Sequence, residues 1–181
     1  MRKTTASVLV AMLALAVGVG TAAAEPNPDR PPLPSALPSV STTLALLTLT
    51  TIPDGWEDRM DLRPQLEVFA DGRAVKSPDA VAADRGPDAP PKRVDGRIPQ
   101  EVLTAALAET RSLAAADLGM AKGTDRTSRI IDYMPQSPNE DVHLIVYAPD
   151  ATDGLGAEQV ASRKRFTDLY TKLLDAFVQG N

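Results

Sequence analysis

The sequence predicts an α+β fold: an antiparallel sheet of four to six strands with two amphipathic helices packed on one face. Three observations carry this expectation. Strand-like patterning recurs at residues 41–52, 66–77, 128–134 and 142–148. Apolar residues recur at helical spacing after Pro99 and again near the C-terminus. The connections within each strand pair are short and polar, which favours antiparallel neighbours.

The elements follow in chain order. STTLALLTLTTI (41–52) mixes Thr and Leu without helix punctuation, and Pro53-Asp54-Gly55 ends it as a turn. Leu44 and Leu46 fall on one side and Leu47 and Leu49 on the other, as in a central strand covered on both faces. A charged loop then surrounds Trp56, the only tryptophan. LEVFADGRAVKS (66–77) reads as a hairpin. With Asp71-Gly72 as a two-residue type I′ loop, Phe69 pairs with Ala74, Val68 with Val75 and Glu67 with Lys76. That register gathers Leu66, Val68, Ala70 and Val75 into an apolar strip. It leaves Phe69 on the Glu67/Lys76 face, unexplained by the hairpin itself.

Residues 78–93 have no period and contain four prolines, so they read as a solvated surface loop. In the next segment Pro99 suits a first helical turn, and Val102, Leu103, Ala106, Leu107, Leu113 and Ala114 recur at helical spacing. Gly119 fits the stop. SRIIDYM (128–134) and VHLIVYA (142–148) read as strands joined by PQSPNED. The last helix carries Phe166, Leu169, Tyr170, Leu173 and Phe177 on one stripe, with Val160 and Leu174 beside it. Asp153 or Gly154 suits its start and Gly180 its end.

The first residues read as a targeting segment. Arg2 and Lys3 precede the uncharged run ASVLVAMLALAVGVG, and Ala22-Ala23-Ala24 supplies a small-residue cleavage site, placing the cut before Glu25. The alternative, a retained anchor, rests on the 19 residues from Ala6 to Ala24, near the minimum for a span. EPNPDRPPLPSALPSV reads as a proline-rich linker over 25–38, and the single folded domain as 39–181. Cleavage leaves 17 basic residues against 24 acidic, a charge near −7. Such a chain gains no counterion-release affinity for nucleic acid, and no membrane association is expected once the signal is gone. With no cysteine there is neither a disulfide nor a lipidation site, so the expected location is secreted and free.

The chemical motifs are mostly missing. His143 is the only histidine, which excludes HExxH and multi-histidine zinc sites. No Gly-x-Ser-x-Gly elbow or Ser-x-x-Lys pair is present. PDATDGLGAE (149–158) lacks the acids an EF-hand places before its glycine and suits a helix start instead. No cofactor or metal site is implied. Arg163-Lys164-Arg165, the one dense basic cluster, reads as a solvated, ion-paired helix face.

LRPQLEVFADGRAV, followed by Gly96-Arg97-Ile98 opening a helix and by Ala161-Ser162-Arg163 within the last one, resembles a group of actinobacterial secreted proteins. The resemblance implies export and this order of elements, and brings no catalytic residue with it. The expected function is a non-enzymatic exported binding or inhibitory module, its partner an extracellular protein or small ligand. Its docking residues are expected on the sheet face without helices, where Phe69, Tyr133, His143 and Tyr147 are the candidates. Loops 53–64 and 78–93 would serve an inhibitor as inserting elements. The alternative is a small secreted hydrolase using acidic residues or His143.

Overall fold

The computed structural model describes residues 44–123 and 126–180. The expected signal peptide, the proline-rich linker and the first residues of the first strand lie outside them. The described residues belong to one compact unit. They form a single antiparallel sheet of seven strands and two helices, the expected α+β class with more strands than expected.

The strands are β1 (Leu47–Ile52), β2 (Leu66–Val68), β3 (Arg73–Lys76), β4 (Val94–Arg97), β5 (Ser128–Tyr133), β6 (Val142–Tyr147) and β7 (Val178–Gln179). The helices are α1 (Gln100–Leu113) and α2 (Ala157–Asp175). Across the sheet the order is β6-β5-β1-β2-β3-β4-β7. β4 and β7 are the unforeseen strands. Val94–Arg97 pairs with β3, and β7 places Gly96 opposite Gln179. Gly96 is required there: a Cβ would lie 2.3 Å from the Val178 carbonyl oxygen and 2.5 Å from the Phe177 ring.

The core follows strand parity. Leu47, Leu49, Leu66, Val68, Ala74, Ile131, Leu144 and Val146 alternate with outward residues. They are buried against Leu103, Ala106 and Leu113 of α1 and Phe166, Leu169, Tyr170 and Leu173 of α2. The helix stripes were therefore largely legible in the sequence. α1 stops at Leu113, short of Gly119, and Ala114 is exposed. Asp117 accepts the Gly119 amide at 2.8 Å and the Gln159 side-chain amide at 2.8 Å, a competing turn that ends the helix. α2 begins after Gly156, whose amide donates to Gln159 Oε1 at 2.9 Å, later than the expected start.

The hairpin differs from its predicted register by one residue. Val68 pairs with Ala74 and Leu66 with Lys76. Gly72 donates to the Phe69 carbonyl at 3.0 Å, and Phe69 donates to Arg73 at 2.8 Å. This is a three-residue loop, a type I turn closed by Gly72 at φ +80°. A type I′ turn needs positive φ at Asp71 as well, and Asp71 does not have it. Lys76 thus reaches the helix side, donating to the Leu174 carbonyl at 3.0 Å, while Glu67 pairs with Arg93 at 3.0 Å.

Loop 78–93 is fastened rather than wholly solvated. Arg85, with 4% of its side chain exposed, binds Asp61 Oδ2 at 2.7 Å and the Ala89 carbonyl at 2.9 Å. Arg59 also holds Asp61, and its guanidinium lies 3.7 Å from the Trp56 ring centre. The Asp61 carboxyl is held well below the usual carboxylate range, chiefly by the Arg59 hydrogen bond and next by Arg85. The two loops offered as inserting elements are latched to each other.

Candidate functional site

The helix-free face of the sheet has two unlike halves. Over β2 and β3, Glu67 is tied to Arg93 and Val75 is buried, although it points away from the helix-side core. At the edge strand β6 the face is open, while further in Ile130 and Asp132 are half-buried and Ser128 and Thr48 buried. His143, Ile145 and Tyr147 alternate with buried Leu144 and Val146; Ile145 is 43% exposed and Tyr147 50%.

The expected candidates do not converge. His143 and Tyr147 share this face, as their parity on the strand implied. Phe69 also lies on the helix-free side but just beyond the end of β2, half-buried, with the Arg73 guanidinium 5.0 Å from its ring centre. Tyr133 is on the other face. It is 3% exposed and opposite Leu47, and Arg111 donates to its hydroxyl.

Sequence reasoning missed two partners. Asp132 pairs with His143 across β5–β6 and with Thr48 across β1–β5. His143 Nδ1 lies 2.8 Å from Asp132 Oδ1, and Thr48 donates to Asp132 Oδ2 at 3.4 Å. The order is His–Asp–Thr. Nucleophilic catalysis by a hydroxyl needs imidazole between hydroxyl and carboxylate. Here the carboxylate sits between them, so the imidazole is not placed to activate Thr48. The period-2 pattern of SRIIDY placed Asp132 in phase with Ile130. The register that brings it to His143 depends on the 134–141 connection, which the sequence left open.

At the far end of this face is a groove of about 510 Å³, within the usual range for small-ligand sites. Ile52, Met120, Ala121, Tyr147 and Ala148 give it apolar walls, with Ser128 on its floor. Arg126 and Glu57 approach to 3.7 Å at its rim.

Arg163 supports this end of the sheet. It is 3% exposed, which corrects the expected solvated face; only Lys164 and Arg165 are exposed, paired with Asp168 and Glu109 at 2.6 and 2.8 Å. Arg163 donates to the carbonyls of Leu118 at 3.3 Å, of Tyr147 at 2.6 Å, and of Ala148. Its Nε has no partner, and burial lowers its pKa from the ordinary arginine value. These bonds hold Ala148 at φ +44°, a left-handed conformation costing a residue with a Cβ about 1–2 kcal/mol. They also tie the 118 turn, which carries Met120, to the end of β6.

Among the described residues no group of three or more His, Cys, Asp or Glu side chains is arranged to hold a metal ion. No helix among them is long and apolar enough to cross a membrane. No protein-family profile matches the chain, and neither does any curated protein or solved structure.

Proposed function

We propose that the chain is an exported, non-enzymatic binding or inhibitory module that docks its partner on the helix-free face at β6. One observation carries the reading: Ile145 and Tyr147 stand exposed in phase on the helix-free face of β6. Apolar side chains presented together on a face beside a groove are the usual mark of a contact surface. The hydrogen-bond order at His143 supports a binding role over a hydrolytic one, since the imidazole activates no hydroxyl.

Export rests on the N-terminal pattern. Mass analysis of the product from culture supernatant should find a chain beginning at Glu25, and an intact Met1 in the cell fraction alone would refute export. For the docking role, the mature chain is used as bait in culture supernatant. A discrete partner should be retained by the native chain and lost with Ile145→Asp/Tyr147→Ser, at unchanged thermal stability. Equal capture by both forms would move the contact elsewhere.

The hydrolase reading has one observation in its favour, the Asp132–His143 bond, which fixes the imidazole with Nε2 outward. It requires His143→Ala to abolish an ester- or amide-cleaving activity of the purified chain.

A further inference from the structure

β6 is the outermost strand on its side of the sheet. Ala148 donates its amide to Thr127 of the preceding chain at 2.8 Å, and Met134 donates to Leu46 at 2.8 Å. Antiparallel ladders alternate, so these two bonds fix the phase. Val142, Leu144 and Val146 turn their backbone groups toward β5, while His143, Ile145 and Tyr147 turn theirs outward. Arg163 occupies the Tyr147 carbonyl. The amides and carbonyls of His143 and Ile145, and the amide of Tyr147, have no partner among the described residues.

Proteins blunt such edges with short strands, prolines, lysines or bulges. β6 has six residues in continuous register with β5 and uses none of these devices. At the opposite edge β7 has two residues.

The segment that carries this edge holds acids and no Lys or Arg. No Lys or Arg occurs from Pro135 to Ser162, a stretch that contains Glu140, Asp141, Asp150, Asp153 and Glu158. Glu140 and Asp141 are exposed where β6 begins. At the other end Lys122 packs beside Gly154 and Arg126 lines the groove with Tyr147. Arg111, near the start, lies on the helix side against Tyr133, so on the outer side the start of β6 is the more acidic end.

We propose that an extended segment of another protein adds to β6 as an eighth strand, apolar at alternate positions and basic at its C-terminal flank. An antiparallel strand would bond the outward groups of His143, Ile145 and Tyr147. It would lay its apolar side chains beside Ile145 and Tyr147 and bring its C-terminal end to Glu140 and Asp141. The inference rests on the binding-module reading and gives that module's partner a chemistry.

The test uses the mature chain and two synthetic peptides, each with three Val-Thr repeats and two lysines, at the C-terminus in one and the N-terminus in the other. The C-terminal-lysine peptide should bind more tightly. It should slow amide exchange at His143, Ile145 and Tyr147 by about tenfold or more, leaving Val142, Leu144 and Val146 unchanged. Glu140→Lys/Asp141→Lys should weaken it by about tenfold, as should raising the salt. Ile145→Pro, which removes an outward amide and spares the ladder to β5, should abolish it. Failure of both peptides to bind saturably would overturn the inference. Binding that leaves the three amides unprotected would overturn edge addition while keeping the face as a docking surface. A concentration-dependent dimer protecting the same amides without peptide would make the occupant a second copy and overturn the proposed chemistry.

Discussion

The two halves of the sheet handle their exposed backbone and apolar surface in opposite ways. β2, β3, β4 and β7 are three, four, four and two residues long, and a pair of loops latched by buried charge accompanies them. β1, β5 and β6 each have six residues, and on the helix-free side β6 presents His143, Ile145 and Tyr147 to solvent. Short strands bury little by themselves and need cover. Three long strands in continuous register share enough helix-side core for the outermost to leave Ile145 and Tyr147 exposed. Substitutions in the short half should therefore cost stability, and substitutions on the proposed docking face at β6 should cost partner capture instead.

The largest expected loss comes from the loop latch. Arg85→Ala removes the guanidinium that joins Asp61 to the Ala80 and Ala89 carbonyls, leaving three acceptors short of a donor. The loss should be the largest of these substitutions, read as a lower midpoint in urea unfolding. Because the Asp61 carboxyl lies below its unfolded value, its contribution is complete above about pH 4 and is lost as the pH falls through the folded value. Wild-type stability should fall steeply below pH 4. The slope should be shallower in Arg85→Ala, where only Arg59 remains on Asp61. Equal slopes would show that the latch does not involve this carboxylate.

Tyr170 joins the two halves. Its hydroxyl donates to Gln65 Oε1 at 2.8 Å, just before β2, and lies 2.9 Å from Thr51 Oγ1 on β1. Burial, more than any neighbour, pushes its pKa up to about 12. A raised folded value favours the neutral phenol, so the stability is fully present below pH 10 and lost as the pH rises toward 12. The loss should approach about 2–3 kcal/mol. Tyr170→Phe should remove this alkaline component, at a cost of about 1–2 kcal/mol at neutral pH from the unpaired Gln65. An unchanged alkaline transition in that variant would assign the titration elsewhere.

Gly96→Ala probes the closed edge. The added Cβ meets a backbone oxygen at 2.3 Å, which cannot rotate away, so β7 and Phe177 must shift. An overpacking cost of about 2 kcal/mol is expected, with loss of protection at the Gly180 amide, now bonded to Asp95 at 3.0 Å. If that amide stays protected, the edge is held by something other than this close approach.

These positions differ in how far the sequence revealed them. The core stripes of both helices were legible because 3.6-residue spacing is a local property. The hairpin was legible as a hairpin, yet Asp71-Gly72 serves two turn types, and their one-residue difference moves Lys76 to the helix side. β7 was hidden because two residues carry no period. Its cause, Gly96 beneath Phe177, joins distant parts of the chain. Arg163 looked like its neighbours Lys164 and Arg165 because charge pattern alone does not say which of three successive helical residues turns inward. The open face was half legible: parity placed His143 with Ile145 and Tyr147, but nothing local said that Tyr133 faces the helices.

The smallest expected effect is the most discriminating. Ile145 projects from a surface strand, makes no bond through its amide, and contributes nothing to the helix-side core. Ile145→Thr keeps the β-branch and hence the strand preference, so stability should change by no more than about 0.5 kcal/mol. The same substitution trims an apolar contact from the proposed docking face, and the proposal expects partner capture to weaken several-fold. A loss of stability near that of Gly96→Ala would mean that Ile145 is structural, that the open half needs its exposed residues as much as the latched half needs its cover, and that the contrast between the two halves is only one of strand length.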